Sequence, residues 1–160
     1  MIKGYLANGL FSEAELLYNA YVEKYIYDKL GSDCVELFLP QNAEINDKNG
    51  FADSKMISEI DEEKLMNSDF LIAIIDGVEI DSGVSAEIGM FYVTGKPIIA
   101  LYTDSRQMGT DNKQKIDALI ADPTENQFMY RNLFTMGLIK RNGVVVKNLE
   151  ELCRSIEDIM

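Results

Sequence analysis

Short unbroken apolar runs alternate along this chain with longer polar stretches in which apolar residues recur every three or four positions. That rhythm predicts strands and helices in turn. Ile2 to Ala7 reads as a short buried strand ending in Asn8-Gly9. Ser12, with Glu15 three residues later, has capping-box spacing and opens a helix that runs to about Leu30, where Gly31 stops it. Leu16, Leu17, Ala20, Tyr21 and Lys24 fall at helical spacing along it. Val35 to Leu39 is the second strand, closed by Pro40, and the polar, turn-rich Gln41 to Gly50 is a surface loop. A helix follows from about Asp53 to Asn67.

Phe70 to Asp76 is apolar without alternation until its final acid, as expected of a central parallel strand covered on both faces. A helix over roughly Ser82 to Thr94 ends at Gly95, and Pro97 to Tyr102 is the fourth strand. A polar loop near Asp104 to Asn112 leads to a helix over Lys113 to Ala121 and a further, broken helical segment over Asn126 to Lys140. Gly143 to Val146 forms the last strand, and Leu149 to Ile159 a terminal helix behind the capping residue Asn148. Strands alternating with helices imply an α/β fold. The expected form is a doubly wound, flavodoxin-like, five-stranded parallel sheet flanked by helices, with right-handed crossovers.

With 160 residues and 47% apolar composition, the chain is expected to form one domain over 1–160. No 18-residue apolar segment is present, and the N-terminus carries neither the basic nor the apolar region of a signal peptide, so the expectation is a cytoplasmic protein with no membrane partner. Cys34 and Cys153 are assigned to packing, as are the eight methionines. A net charge of −12 argues against a nucleic-acid polymer as partner. The absence of histidine removes the serine and cysteine triads and the HExxH zinc site; if the chain is an enzyme, carboxylates do its acid-base work. No Walker A or GxGxxG sequence opens any helix.

In such a sheet the ligand lies beyond the carboxyl ends of the strands. The segment Asp81-Ser82-Gly83-Val84-Ser85-Ala86-Glu87-Ile88-Gly89, just past the third strand, occupies that position. Glu87 alone is an ordinary helix glutamate, but Gly83, Ala86 and Gly89 leave room beside it for another group. Asp76 and Asp81 are both candidate caps for this helix, and Glu79 adds charge that can raise a neighbouring carboxyl pKa. Asp61 reads as a helix-surface acid, Asn132 as a surface or capping amide, and Tyr5 as a strand aromatic whose hydroxyl can reach the crevice.

Taken together, these residues resemble the nucleoside 2-deoxyribosyltransferase family. Tyr5-Leu6-Ala7 with Phe11, the Asp61 helix, Ser68-Asp69 before the third strand, D-S-G-x-x-x-E-I-G from Asp81 with Gly95-Lys96-Pro97 downstream, and Arg131-Asn132-Leu133 occur in the family's order, from Tyr5 to about Gly137. The resemblance implies that Glu87 is the nucleophile and Tyr5 positions it. It further implies that Asp61 and Asp81 contact the base, Asp81 donating a proton, and that Gly83, Phe11 and Gln41 (or Asn42) belong to the binding set. Asn132 would meet the sugar 5′-hydroxyl in a neighbouring subunit's pocket, within a dimer-based homo-oligomer such as the hexamers common in the family. The substrates implied are deoxynucleosides and free purine or pyrimidine bases, exchanged by double displacement, with no cofactor and no metal. Two other functions fit the same residues: an N-glycosidase acting on nucleosides or nucleoside 5′-monophosphates, and a non-catalytic nucleotide-sensing module.

Overall fold

The computed structural model describes residues 1–47, 49–128 and 130–160. Lys48 and Met129, which fall in the predicted loop 41–50 and the predicted helical segment 126–140, lie outside the described residues. Among the described residues five strands, β1 (Ile2–Ala7), β2 (Val35–Phe38), β3 (Phe70–Ile74), β4 (Ile98–Leu101) and β5 (Gly143–Val146), form one parallel sheet in the order β2-β1-β3-β4-β5. This is the expected flavodoxin-like order, with the switch in winding between β1 and β3. Among the described residues six α-helices cover the faces: α1 (Glu13–Leu30), α2 (Ser54–Met66), α3 (Ser82–Tyr92), α4 (Lys113–Ala121), α5 (Leu133–Asn142) and α6 (Leu149–Glu157). Among the described residues no helix is long and apolar enough to cross a membrane.

Side chains alternate across each strand, so β1 feeds two separate cores. Leu6 joins Val22 and Ile26 of α1 and Leu152 and Ile156 of α6 on one face. Tyr5 and Ala7 join Leu65 of α2, Val84, Ile88 and Phe91 of α3, and Ile139 of α5 on the other. β3 is buried at every position, as its unbroken apolar sequence required.

Local signals begin and end the helices. Ser12 and Glu15 make the reciprocal capping box of α1, and Gly31 ends that helix at φ +86°, a conformation that disfavours a side chain. Asp53, Asp81, Asn112, Asn132 and Asn148 each accept a backbone N–H at the start of α2 to α6.

Several expectations need correction. The stripe Leu16, Leu17, Ala20, Tyr21 and Lys24 is not the buried face of α1: Leu17 is 70% and Tyr21 54% exposed, and the core face is Asn19, Val22 and Ile26. The two faces have the same period, and an asparagine on the buried one disguised it. The seven described methionines do not fill the core. Met1, Met56, Met66, Met90, Met108 and Met160 are exposed, and Met136 is partly buried. α5 begins at Leu133 rather than Asn126, because Pro123 opens a 3-10 turn and the Asn126 side chain accepts the Phe128 N–H in a local turn that competes with helix. The loop after β2 contains two 3-10 turns, Pro40–Asn42 and Glu44–Asn46.

β5 approaches β4 closely at Gly143, where an added Cβ would lie 1.7 Å from the Ile98 carbonyl oxygen. Gly143→Ala is therefore expected to lower unfolding free energy by about 3 kcal/mol, measured by urea denaturation. A change below about 0.5 kcal/mol would contradict this close approach.

Candidate active site

The site is assembled at the carboxyl ends of β1 and β3. After β3, the chain turns at Gly77, φ +93°, and reaches Asp81, whose Oδ1 accepts the N–H groups of Gly83 at 2.8 Å and Val84 at 3.1 Å. This cap sets the start of α3 and therefore which residues face the core. Val84, Ile88 and Phe91 pack inward, while Gly83, Ala86, Glu87 and Met90 share a flank that faces α2. Tyr5 comes up from β1 beneath that flank. Its hydroxyl donates to Glu87 Oε1 at 2.5 Å.

Burial is the main cause that pushes the Glu87 carboxyl up to about 7; the Tyr5 hydrogen bond opposes it, and the nearby charges of Asp61 and Asp81 add to it. Tyr5, fully buried and facing that carboxylate, has its own pKa raised, first by burial and then by Glu87. Its hydroxyl consequently keeps its proton and serves as a permanent donor.

Asp61 lies across the gap on α2, and its carboxyl is pushed up by burial. Its Oδ1 is buried and has no hydrogen-bond partner. A buried acceptor in this state is costly, and it marks a position where a bound molecule can supply the missing N–H or O–H. Asp61, Asp81, Gly83, Glu87 and Phe11 border one crevice of about 300 Å³. A mostly apolar groove of about 380 Å³ between α2 and α3 shares Ile57, Asp61, Gly83 and Glu87 with it.

Two residues proposed from sequence lie elsewhere. The Gln41 amide accepts from Asn19 Nδ2 at 2.9 Å and donates to the Leu16 carbonyl at 3.2 Å, and it borders an adjacent depression with Phe11 and Asn46. Asn132 is exposed, its Oδ1 accepting from Phe134 and Thr135 N–H as the cap of α5. It lines a separate depression with Glu79, Ser82 and Ser85, on the far side of the α3 N-terminus. Among the described residues, Asn132 lines that depression and Glu87 the crevice and the α2–α3 groove.

Asp76 does not cap α3. Its carboxylate accepts Thr103 N–H at 2.7 Å, Thr103 Oγ1–H at 2.6 Å and Asp104 N–H at 3.0 Å, tying the ends of β3 and β4. Arg131 holds the same loop from the other side, donating to Ile75 O and Gly77 O, both at 2.9 Å, while stacking on Tyr102. Asn8 and Asn46 also line the crevice and were missed. The available signal was Asn19, a polar residue at i, i+3, i+7 spacing with Val22 and Ile26, whose burial requires polar partners nearby.

The chain matches the family model described as nucleoside 2-deoxyribosyltransferase over residues 5–149. Among solved structures, a conserved protein from Enterococcus faecalis V583 is 51% identical, with 100% of this chain and 99% of that chain covered and a TM-score of 0.91. A 2-deoxyribosyltransferase from Bacillus psychrosaccharolyticus is 19% identical, with 94% and 89% covered and a TM-score of 0.63. The 2-deoxyribosyltransferase from Leishmania mexicana is 19% identical, with 99% and 96% covered and a TM-score of 0.62. At that identity the last two share the fold. No curated protein matches.

The displaced titration of Glu87 has a calculable sign. An acid raised from 4.5 to about 7 binds its proton more tightly in the folded chain, so this contribution to stability is whole below pH 4.5 and is lost as pH rises to about 7. Glu87→Gln, which retains an acceptor for Tyr5, is expected to be more stable than the parent by roughly 2 kcal/mol at about pH 8 and equal to it at about pH 4, by urea denaturation. Tyr5→Phe removes the one contact that lowers this carboxyl, so its midpoint in carbon-13 NMR should move further up. An unchanged or lower midpoint would show that Tyr5 does not govern Glu87.

Proposed function

The chain belongs to the nucleoside 2-deoxyribosyltransferase family, and from that premise we propose that it exchanges the base of deoxynucleosides through a covalent deoxyribosyl-Glu87 intermediate. The observation that carries this reading is the partly buried Glu87 carboxylate, hydrogen-bonded by Tyr5 through one oxygen and bordering the crevice with the other available. A carboxylate deprived of water loses its charge when it forms an ester, so the burial that raises its pKa is relieved on attack.

In the first displacement Glu87 Oε2 bonds to C1′ and the C1′–N bond breaks, its electron pair passing to the departing base. Asp81 supplies the proton that this nitrogen takes up. Since Asp81 Oδ1 accepts two backbone N–H groups, Oδ2 is the oxygen through which that proton is passed. A second base then attacks C1′ from the vacated side, the C1′–O bond breaks, Glu87 regains its carboxylate, and the proton of the incoming ring nitrogen returns to Asp81. Two inversions restore the anomeric configuration, and the atoms balance without a metal or organic cofactor. Asp61, with its unpartnered oxygen, faces the base; Phe11 and Gly83 border the same space.

Asn132 binds the sugar 5′-hydroxyl of a neighbouring subunit's substrate. The separation of Asn132 from Glu87 within one chain supports this, as does the exposure of Leu133 (85%) and Phe134 (76%) beside it, an apolar surface suited to a second copy.

Protein mixed with a deoxynucleoside and a different free base should yield the exchanged deoxynucleoside, followed by chromatography. Glu87→Ala is expected to lower kcat by about 10⁴-fold or more with circular dichroism unchanged. Asp81→Asn keeps a good helix cap but cannot donate the proton, and should lower kcat by about 10²-fold. Accumulation of free base and deoxyribose alone would indicate an N-glycosidase; binding without turnover would indicate a sensing module.

A further inference from the structure

Asn8 and Asn46 line the crevice with Glu87, and the polarity of their amides is set by backbone carbonyls, which can only accept hydrogen bonds. Gln41 Nε2 donates to Leu16 O, so Gln41 turns its oxygen to Asn19. Asn19 Nδ2 donates to that oxygen and to Gly9 O at 3.0 Å, which turns Asn19 Oδ1 to Asn8. Asn8 Nδ2 donates to Asn19 Oδ1 at 2.7 Å, leaving Asn8 Oδ1 as the unoccupied acceptor. Asn46 is oriented in the same way. It is 9% exposed, and its Nδ2 donates to Pro40 O at 2.8 Å, leaving Oδ1. Reversing any of these amides would set an oxygen against a carbonyl oxygen.

Asn8 and Asn46 border the crevice together with Asp61, whose Oδ1 is buried and unpartnered. Among the described residues, Ser82, whose hydroxyl can act either way, and the reacting carboxyls Asp81 and Glu87 are the other polar side chains there. Three acceptors from three segments, the end of β1, the loop after β2 and α2, thus face one space with no donor assigned to them among the described residues.

Resting on the exchange reaction proposed above, we infer that this crevice selects nucleobases bearing an exocyclic amino group, adenine and cytosine, over their oxo counterparts, hypoxanthine and uracil. An amino group brings two N–H donors, enough for two of the acceptors. An oxo base satisfies one acceptor with its ring N–H and turns the lone pairs of its carbonyl toward the rest. Sites built to receive an N–H discriminate strongly against an analogue lacking it, because their buried acceptors are then left unpaired.

The test pairs bases that differ only in this group. Exchange from one deoxynucleoside donor is measured with adenine against hypoxanthine and with cytosine against uracil, and binding of the same four free bases is measured by calorimetry. The expected result is a kcat/KM at least about tenfold higher for each amino base, with the ratio falling to within about threefold in Asp61→Asn, whose amide can also donate. Oxo bases exchanged as fast as amino bases, or a ratio untouched in Asp61→Asn, would overturn the inference. If no base is exchanged but adenine and cytosine bind at least about tenfold tighter than their oxo partners, the selectivity stands and the reaction reading fails. Absence of both exchange and binding preference overturns both.

Discussion

One half-buried carboxylate sets the demands on the rest of this molecule. Glu87 gains one strong hydrogen bond, from Tyr5, and loses most of its hydration; burial prevails, and its pKa rises to about 7. Such a group is tolerated only if its donor stays in place, since an unpaired buried charge costs several kcal/mol. The architecture meets that condition by locating Tyr5 on β1, which is paired on both sides, by β2 and β3. Tyr5 is fully enclosed and cannot drift from its partner.

The acceptor must be equally fixed, yet α3 is not intrinsically a strong helix. Gly83 and Gly89 each disfavour it by about 1 kcal/mol relative to alanine. The Asp81 cap and the inward packing of Val84, Ile88 and Phe91 compensate, which frees the outer flank for small residues and an open crevice. The loop feeding this cap is itself secured by Asp76 below and by the Arg131 guanidinium beside it. Because Arg131 directly precedes Asn132, the start of α5 and the approach to Asp81 are held by one side chain.

A chain with no histidine and an excess of acids must differentiate its carboxylates by surroundings. Asp76 is saturated with hydrogen bonds and structural. Asp81 spends one oxygen on its helix and offers the other to the crevice. Asp61 keeps a buried oxygen without a partner, and Glu87 is partly protonated near neutrality. The same functional group performs four roles because hydration and hydrogen bonding differ at each place.

Strand positions and several helix caps were legible in the sequence, because they depend on local periodicity and on side chains bonding to backbone only two or three residues away; the sheet order was expected only from the general rule for strands alternating with helices. The motif from Asp81 to Gly89 was legible for the same reason. Long-range pairing was not. Which face of α1 is buried, that Asn132 stands apart from Glu87, that Gln41 is occupied by Asn19, and that Asp76 reaches Thr103 all depend on contacts between residues distant in the chain. The resemblance to the family indicated that Tyr5 meets Glu87, whereas the folded chain supplied the distance, the burial and the displaced pKa. By itself the sequence determined the elements and the inventory of acids; tertiary structure alone decided which acids lose water, since hydration is a property of the enclosing surface and not of any segment.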